Sequence, residues 1–331
     1  MTTRFVRAAT AVAIGVLASS TGLAQTRRAP AKPAVPASVP APFREAVGEE
    51  LKSGLSLADS KRVDAAGGTY FVAIYLYPES SKEHGGDKTL KIYYLAAGAS
   101  APKTTELYVE HLVEFGTYDD PKKVFADLNG DGTTEMIVSV ANGGNCWQCS
   151  RVLIYSLEGA ELRFLASQPM NLQDLDGDGK PELLVGDTRW EGYDDFSHAA
   201  APGGTLVYTW RAGGYVFAGP DVPSFYKTEI DRITADLADA VKNMDPQLPF
   251  ADEQYVGDAI QLYLISVYTG DGERGRDEFT TRMNEHVLND EMRAHRKRIL
   301  DDFLTGDSAK LLESPRRAES LPKATNTPDV D

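Results

Sequence analysis

Acidic and amide side chains stand at alternate positions in the segment FADLNGDGTTEMIV, residues 125–138. The same spacing recurs in LQDLDGDGKPELLV, residues 172–185. Counted from the first aspartate of each segment, side-chain oxygens occupy positions one, three, five and nine. They belong to Asp127, Asn129, Asp131 and Glu135 in the first loop, and to Asp174, Asp176, Asp178 and Glu182 in the second loop. The repetition of this spacing indicates a functional constraint.

Oxygen ligands at alternate positions suit a hard cation such as Ca²⁺, which takes roughly six to eight oxygens at about 2.3–2.6 Å. Gly132 and Gly179 follow the third ligand of each loop and allow the backbone to turn sharply there. The carbonyl oxygens of Thr133 and Lys180, at position seven, would then complete each shell. The sequence therefore predicts two Ca²⁺ sites. The competing interpretation is a pair of metal-free polar turns, because Asn-Gly and Asp-Gly are strong turn formers by themselves.

The helix–loop–helix calcium hand shares the first ligand positions but requires a bidentate glutamate at position twelve. That position holds Val138 in the first loop and Val185 in the second loop. The residues that follow the loops, EMIVSV and ELLVGD, are also typical of strands. Both observations exclude a helical calcium hand.

The two loops with their following strands, residues 123–218, resemble the calcium loops of FG-GAP/VCBS repeats. Such repeats form the β-propeller of integrin α subunits and occur in many exported bacterial proteins, with the pattern Asp-x-Asp/Asn-x-Asp-Gly-x-x-Asp/Glu ahead of a blade strand. The sequence departs from a full propeller, which has typically four or more blades. Only two repeats carry the acidic loop, a third unit at residues 68–115 lacks it, and a closed seven-bladed ring cannot fit.

The hydrophobic pattern predicts an α+β fold. Short runs rich in β-branched and aromatic residues, separated by Gly, Pro, Asn and Asp, predict an antiparallel sheet-rich N-terminal domain. After residue 222 the period changes, and a small all-α domain is predicted. Its first helix has one apolar face, formed by Ile230, Ile233, Leu237, Val241 and Met244.

The first residues combine Arg4 and Arg7 with an apolar stretch and small residues, which is the layout of a secretory signal peptide. An uncleaved anchor is the alternative. A soluble periplasmic or secreted protein is therefore predicted, with no membrane span after cleavage. The predicted division is a signal peptide at 1–24, a Pro/Ala-rich linker at 25–43, the calcium-binding β domain at 44–222, the helical domain at 223–313 and a flexible tail at 314–331.

Cys146 and Cys149 are the only cysteines, and a structural disulfide is predicted for an exported protein. A redox site is less favoured because the following residues, RVLIYSL, are typical of a strand rather than of the helix that would lower a thiol pKa. The net charge of −15 argues against a nucleic-acid partner. The five histidines show no metal-ligand spacing.

Trp190, Glu191, Tyr193 and Asp194 lie in one predicted loop, TRWEGYDDFSH, and form a candidate surface for a sugar or peptide. A solvated connecting loop is the simpler interpretation. The leading functional hypothesis is a non-enzymatic binding or interaction module with mainly structural calcium and an unidentified protein or glycan partner. The alternative is a periplasmic hydrolase of polysaccharide or peptide that uses the acidic loop near Glu191.

Overall fold

The computed structural model describes residues 34–65, 67–159, 161–168, 170–245, 247 and 252–313. The predicted signal peptide, residues 25–33 of the predicted linker and the predicted tail lie outside these residues. The strands are β1 (Ser56–Ala65), β2 (Gly68–Leu76), β3 (Lys88–Ala96), β4 (Lys103–Glu110), β5 (Leu112–Phe115), β6 (Phe125–Ala126), β7 (Glu135–Ala141), β8 (Ser150–Glu158), β9 (Glu161–Gln168), β10 (Met170–Gln173), β11 (Glu182–Gly186), β12 (Thr205–Arg211) and β13 (Gly214–Phe217). The helices are α1 (Arg44–Lys52), α2 (Pro223–Asn243), α3 (Glu253–Tyr268), α4 (Gly272–Asn284), α5 (Asp290–Thr305) and α6 (Asp307–Glu313).

The strands form three antiparallel sheets. Sheet A has the order β1-β2-β3-β4, sheet B has the order β5-β7-β8-β9 with β6 beside β7, and sheet C has the order β10-β11-β12-β13. Within the described residues, no closed barrel or propeller is formed. The coarse prediction of antiparallel sheets followed by helices is confirmed. The predicted third repeat unit, residues 68–115, does not correspond to one sheet, because its last strand, β5, belongs to sheet B.

Strand β2 is buried on both faces, and its period of two sends alternate side chains into two different cores. Phe71 and Tyr75 join an apolar cluster with Phe43 and Val47, which lie in and just before α1. Tyr70, Val72 and Ile74 point the other way and pack against sheet B. Sheet A therefore lies between α1 and sheet B.

Strand β7 repeats this arrangement one layer further along. Met136 and Val138 contact the cluster shared with sheet A, whereas Ile137 contacts the cluster shared with sheet C and the helices. On β8, Leu153 and Ile154 divide in the same way. The resulting order of layers is α1, sheet A, sheet B and sheet C, with α2 to α6 packed beside sheet C.

The helices share one apolar core with sheets B and C. Tyr226, Ile233, Ile260 and Phe303 belong to the same cluster as Ile137 of sheet B. The residues from Val35 onward also form one compact unit. The predicted domain boundary at residues 222–223 and the separate folding of the helical part stay predictions.

A buried carboxylate fastens sheet C to α3. Asp187 directly follows β11, and its side chain is only 2% exposed. Its Oδ2 accepts hydrogen bonds from Tyr268 Oη at 2.6 Å and from Trp190 Nε1 at 3.0 Å. Arg189 Nε donates to the other oxygen at 2.7 Å and supplies the compensating charge. Because a buried charge is tolerated only when it is paired and hydrogen-bonded, this cluster holds the sheet and the helix in one arrangement.

Two regions differ from the sequence-based expectation. The sequence analysis does not predict strand β1, because its sequence, SLADSKRVDA, is polar and it lies at the sheet edge with alternating exposed and partly buried stretches. Within the predicted all-α domain, α4 ends at Asn284 and α5 begins at Asp290, and the sequence analysis indicates no break there. Asn289 begins α5, because its Oδ1 accepts the Met292 N–H as an N-cap, and His286 within the break has a positive φ of 53°.

Among the described helices, none combines the length and the apolar character that a membrane crossing requires.

Replacing Tyr268 with phenylalanine tests the hydrogen-bonded contact between Asp187 and α3. The substitution removes one donor to a buried carboxylate and preserves the ring, so we expect a loss of about 1–3 kcal/mol in the free energy of unfolding. Chemical denaturation measures the loss. Tyr118→Phe, at a side chain that is half exposed, is the matched control and should change little. Equal losses in the two variants would show that the Tyr268 hydroxyl contributes nothing specific.

Candidate metal centre

Each acidic loop closes an antiparallel hairpin. The first loop connects β6 to β7, and Ala126 pairs with Glu135 across it. The second loop connects β10 to β11, and Gln173 pairs with Glu182. The ligand at position nine is therefore the first residue of the following strand in both sheets. The two loops occupy equivalent places in two successive sheets, as expected from the repeat.

Five hydrogen bonds from backbone N–H groups to side-chain oxygens shape each loop, and the two sets correspond position by position. In the first loop, Asp127 accepts from Gly130 and Gly132, Asn129 from Asp131, Asp131 from Thr133, and Glu135 from Leu128. In the second loop, Asp174 accepts from Gly177 and Gly179, Asp176 from Asp178, Asp178 from Lys180, and Glu182 from Leu175. These hydrogen bonds arrange the predicted ligand residues around each loop, and metal binding by them stays a prediction.

The glycines make this folding of the loop possible. Gly130 and Gly132 have φ values of 73° and 83°, and the equivalent Gly177 and Gly179 have 81° and 87°. Residues with a side chain rarely adopt this left-handed conformation. The two N–H groups therefore converge on the aspartate at position one.

In the second loop, three carboxylates approach one another closely. One oxygen from each of Asp174, Asp176 and Glu182 lies within 4.8 Å of the others. Two oxygens bound to the same Ca²⁺ stand at most about 5.2 Å apart, twice the longest usual Ca–O distance. The spacing of these three oxygens is compatible with a single bound cation. Elsewhere in the described part of the chain, no three Asp, Glu, His or Cys side chains come as close.

In the first loop, the glutamate is the unusual group. Glu135 is fully buried, and burial raises the pKa of its carboxyl group to about 7. The negative charges of Asp131 and Asp127 act in the same direction, whereas the Leu128 N–H opposes them. Glu135 Oε1 has no hydrogen-bond partner among the described residues. A cation bound in the loop would compensate this carboxylate.

Glu182 occupies the same position in the second loop with better compensation. It is 4% exposed, and burial raises the pKa of its carboxyl group against the effect of the Leu175 N–H. Its Oε1 lies 3.4 Å from Thr209 Oγ1 on β12, which donates a long hydrogen bond. Thr133 and Lys180, the two position-seven residues, lie in the turn directly before each strand.

Cys146 and Cys149 form a disulfide, as predicted. The pair lies in the connection between β7 and β8, and β8 begins at the next residue. Trp147 N–H, between the two cysteines, donates to Glu191 Oε1 at 2.6 Å. The disulfide therefore closes the turn between β7 and β8, and this turn contacts the loop after β11.

The predicted ligand-binding loop is occupied by contacts within the protein. Trp190 is fully buried and stacks on Phe303 at 5.1 Å between ring centroids. Tyr193 Oη donates to Asp302 at 3.0 Å. Together with the Trp147–Glu191 bond, these contacts bind the loop to α5 and to the disulfide turn.

Asp194 belongs to a charge network that the sequence did not reveal. His295 Nε2 lies 2.7 Å from Asp194 Oδ2, and Arg298 contacts the same carboxylate. Hydrogen bonds to Asp252 and Asp194 raise the pKa of His295 against the effect of its burial. Asp194 and His295 are 101 residues apart, so no local pattern could have predicted the pair. Both ring nitrogens of His295 face carboxylates, which gives this histidine a structural role between loop and helices.

Comparison of the chain with protein-family models, with curated proteins and with solved structures finds no match.

Glu135→Gln tests the burial of charge at the first loop. In metal-free protein the raised pKa means that the folded state holds a proton that the unfolded state releases above its usual pKa of 4.5. The stability of the wild-type protein should therefore fall as pH rises from about 4.5 to about 7, by on the order of 3 kcal/mol. The neutral glutamine should remove most of this pH-dependent loss of stability. Thermal melting of both proteins at pH 5 to 8, with a chelator present, measures the difference.

Glu114→Gln, at an exposed position of β5, is the matched control and should keep the wild-type pH profile. A Glu135→Gln profile parallel to the wild-type profile would contradict the assignment.

Proposed function

We propose that this chain is an exported calcium-binding protein of the FG-GAP/VCBS-like type. In this proposal, Ca²⁺ at the two acidic loops stabilises the stacked sheets, which act as a binding or interaction module. The observation that carries the proposal is the exact correspondence of five side-chain-to-backbone hydrogen bonds in two loops, each ending in a buried glutamate. A polar turn needs no such glutamate to form.

The chemistry of the ligands favours calcium. Every candidate group is a carboxylate, amide or carbonyl oxygen, which suits a hard cation rather than a thiolate- or imidazole-binding metal. The loops offer four side chains and one carbonyl each, and Ca²⁺ accepts such large and irregular oxygen shells. Mg²⁺ prefers a tight octahedron and retains several waters, so it uses fewer protein ligands.

The position of the loops favours a structural role for the ion. Each loop determines how one strand enters the middle of its sheet, and the carboxylates of an ion-free loop repel one another. The buried glutamate adds the cost of an uncompensated charge. A bound divalent cation offsets both effects, so ion binding and folding of the β part should be linked.

The interaction role rests on the predicted export and on the acidic net charge of −15. A protein or glycan partner is consistent with the acidic, charged surface of an exported module. The hydrolase alternative needs two convergent, accessible carboxylates. Glu191 and Asp194 are instead engaged with Trp147, His295 and Arg298. No observation in the described residues favours catalysis there.

Calcium should raise the melting temperature of the full chain, and a chelator should lower it. For a site filled to about a hundred times its dissociation constant, linkage gives roughly 2.7 kcal/mol of stabilisation. The first loop offers three carboxylates and the second offers four, and Pro181 restricts the exit of the second loop. We therefore expect Asp178→Ala to remove more of the calcium effect than Asp131→Ala, as measured by differential scanning calorimetry.

Asp231→Ala, at an exposed position of α2, is the control and should preserve the full calcium effect. Identical melting curves of the wild-type chain in calcium and in chelator would reject the proposed function.

A further inference from the structure

The two acidic loops are in contact through one side chain. Lys180 belongs to the second loop, but its side chain crosses to the first loop and lies over Gly130. A β-carbon built on Gly130 would stand 2.3 Å from Lys180 Cε and 2.9 Å from its Nζ. Gly130 N–H donates to Asp127 Oδ1, the first ligand of the first loop. The ammonium group of one loop therefore lies beside the ligand set of the other.

This contact has no counterpart in the opposite direction. Gly177, which corresponds to Gly130 in the second loop, has open space where a β-carbon would be. Thr133, which corresponds to Lys180, has a short neutral side chain. The first loop also has the neutral Asn129 where the second has Asp176. The positive charge thus lies beside the loop with fewer carboxylates.

We propose that Lys180 is a tethered cation that weakens divalent-cation binding at the first loop and makes that binding dependent on the state of the second loop. This rests on the calcium sites proposed above. An independent observation marks the first loop as a cation site: the fully buried Glu135 has an oxygen without a hydrogen-bond partner among the described residues.

The sign of the effect follows from the charges. The three carboxylates of the first loop attract Ca²⁺, and a fixed positive charge nearby opposes the entry of a second cation. No hydrogen bond or ion pair of Lys180 Nζ occurs within the described residues, so its charge is not neutralised by a close partner. Both loops are exposed to solvent, and salt should screen the effect beyond about 8 Å at physiological ionic strength.

The coupling between the loops follows from the backbone of Lys180. Its N–H donates to Asp178 Oδ1 at 2.8 Å, and its carbonyl is the position-seven ligand of the second loop. A cation in the second loop would fix the backbone of this residue on both sides of its Cα. The ammonium group would then be held over Gly130, and the first loop should fill last.

Isothermal titration of the chelator-treated full chain with CaCl₂ tests the effect of Lys180. Asp131→Ala identifies the affinity that belongs to the first loop, and Asp178→Ala identifies that of the second. Lys180→Met keeps the aliphatic stem and removes the charge. It should tighten binding at the first loop by about three- to ten-fold at low salt, and by much less in 0.5 M KCl.

Two matched variants separate this effect from a general change of charge. Lys180→Arg keeps the charge and should retain the wild-type affinities. Lys52→Met makes the same change in net charge at an exposed position of α1 and should leave both affinities unchanged. Circular dichroism melting of each variant confirms that it is folded.

The outcomes are distinguishable. No calcium binding by the wild-type chain overturns both the proposed function and the role of Lys180. Two wild-type sites with first-loop affinity unchanged in Lys180→Met overturn only the role of Lys180, as does a change confined to the second loop. The wild-type chain could also show binding at the second loop alone. In that case, binding at the first loop in Lys180→Met supports the role of Lys180, and no binding there overturns that role.

Discussion

The rest of the structure depends on the burial of a carboxylate at the start of the strand that follows each acidic loop. Glu135 and Glu182 are almost inaccessible to solvent, and each accepts a backbone N–H from inside its own loop. Such a group cannot remain charged in an apolar core without compensation. The loop supplies a hydrogen bond, and a cation would supply the charge. This requirement ties the geometry of the loop to the position of the strand.

The position of that strand in turn determines the layers. β7 is buried on both faces, with Met136 and Val138 toward sheet A and Ile137 toward sheet C. A slip of one residue would exchange these faces, because side chains alternate with a period of two. Glu135 prevents such a slip, since its carboxylate must reach Leu128 N–H in the loop. A polar contact at the end of the strand therefore selects one register among several that hydrophobicity alone would permit.

The sequence predicted the features that depend on neighbouring residues. The apolar runs located the strands of the central sheets, and ligand spacing located both loops. β1 was missed because a polar edge strand has no apolar run, and the break between α4 and α5 was missed because residues 276–304 contain no Gly or Pro to mark it. The pairs Asp187–Tyr268 and Asp194–His295 join residues 81 and 101 positions apart. The folded backbone alone brings such pairs together, so a single sequence contains no signal for them.

The second loop has a closer structural link to the helices than the first loop has. Glu182 begins β11, and Asp187 directly follows the end of this strand. One short strand therefore connects the ligand at position nine to the carboxylate that fastens α3 through Tyr268. Among the described residues, β7 has no equivalent anchor to a helix, because it leads instead to the disulfide turn at Cys146 and Cys149. A well-ordered second loop consequently stabilises β11, the strand that is bonded to the helices through Asp187. A well-ordered first loop stabilises β7 and, through it, the packing between the sheets.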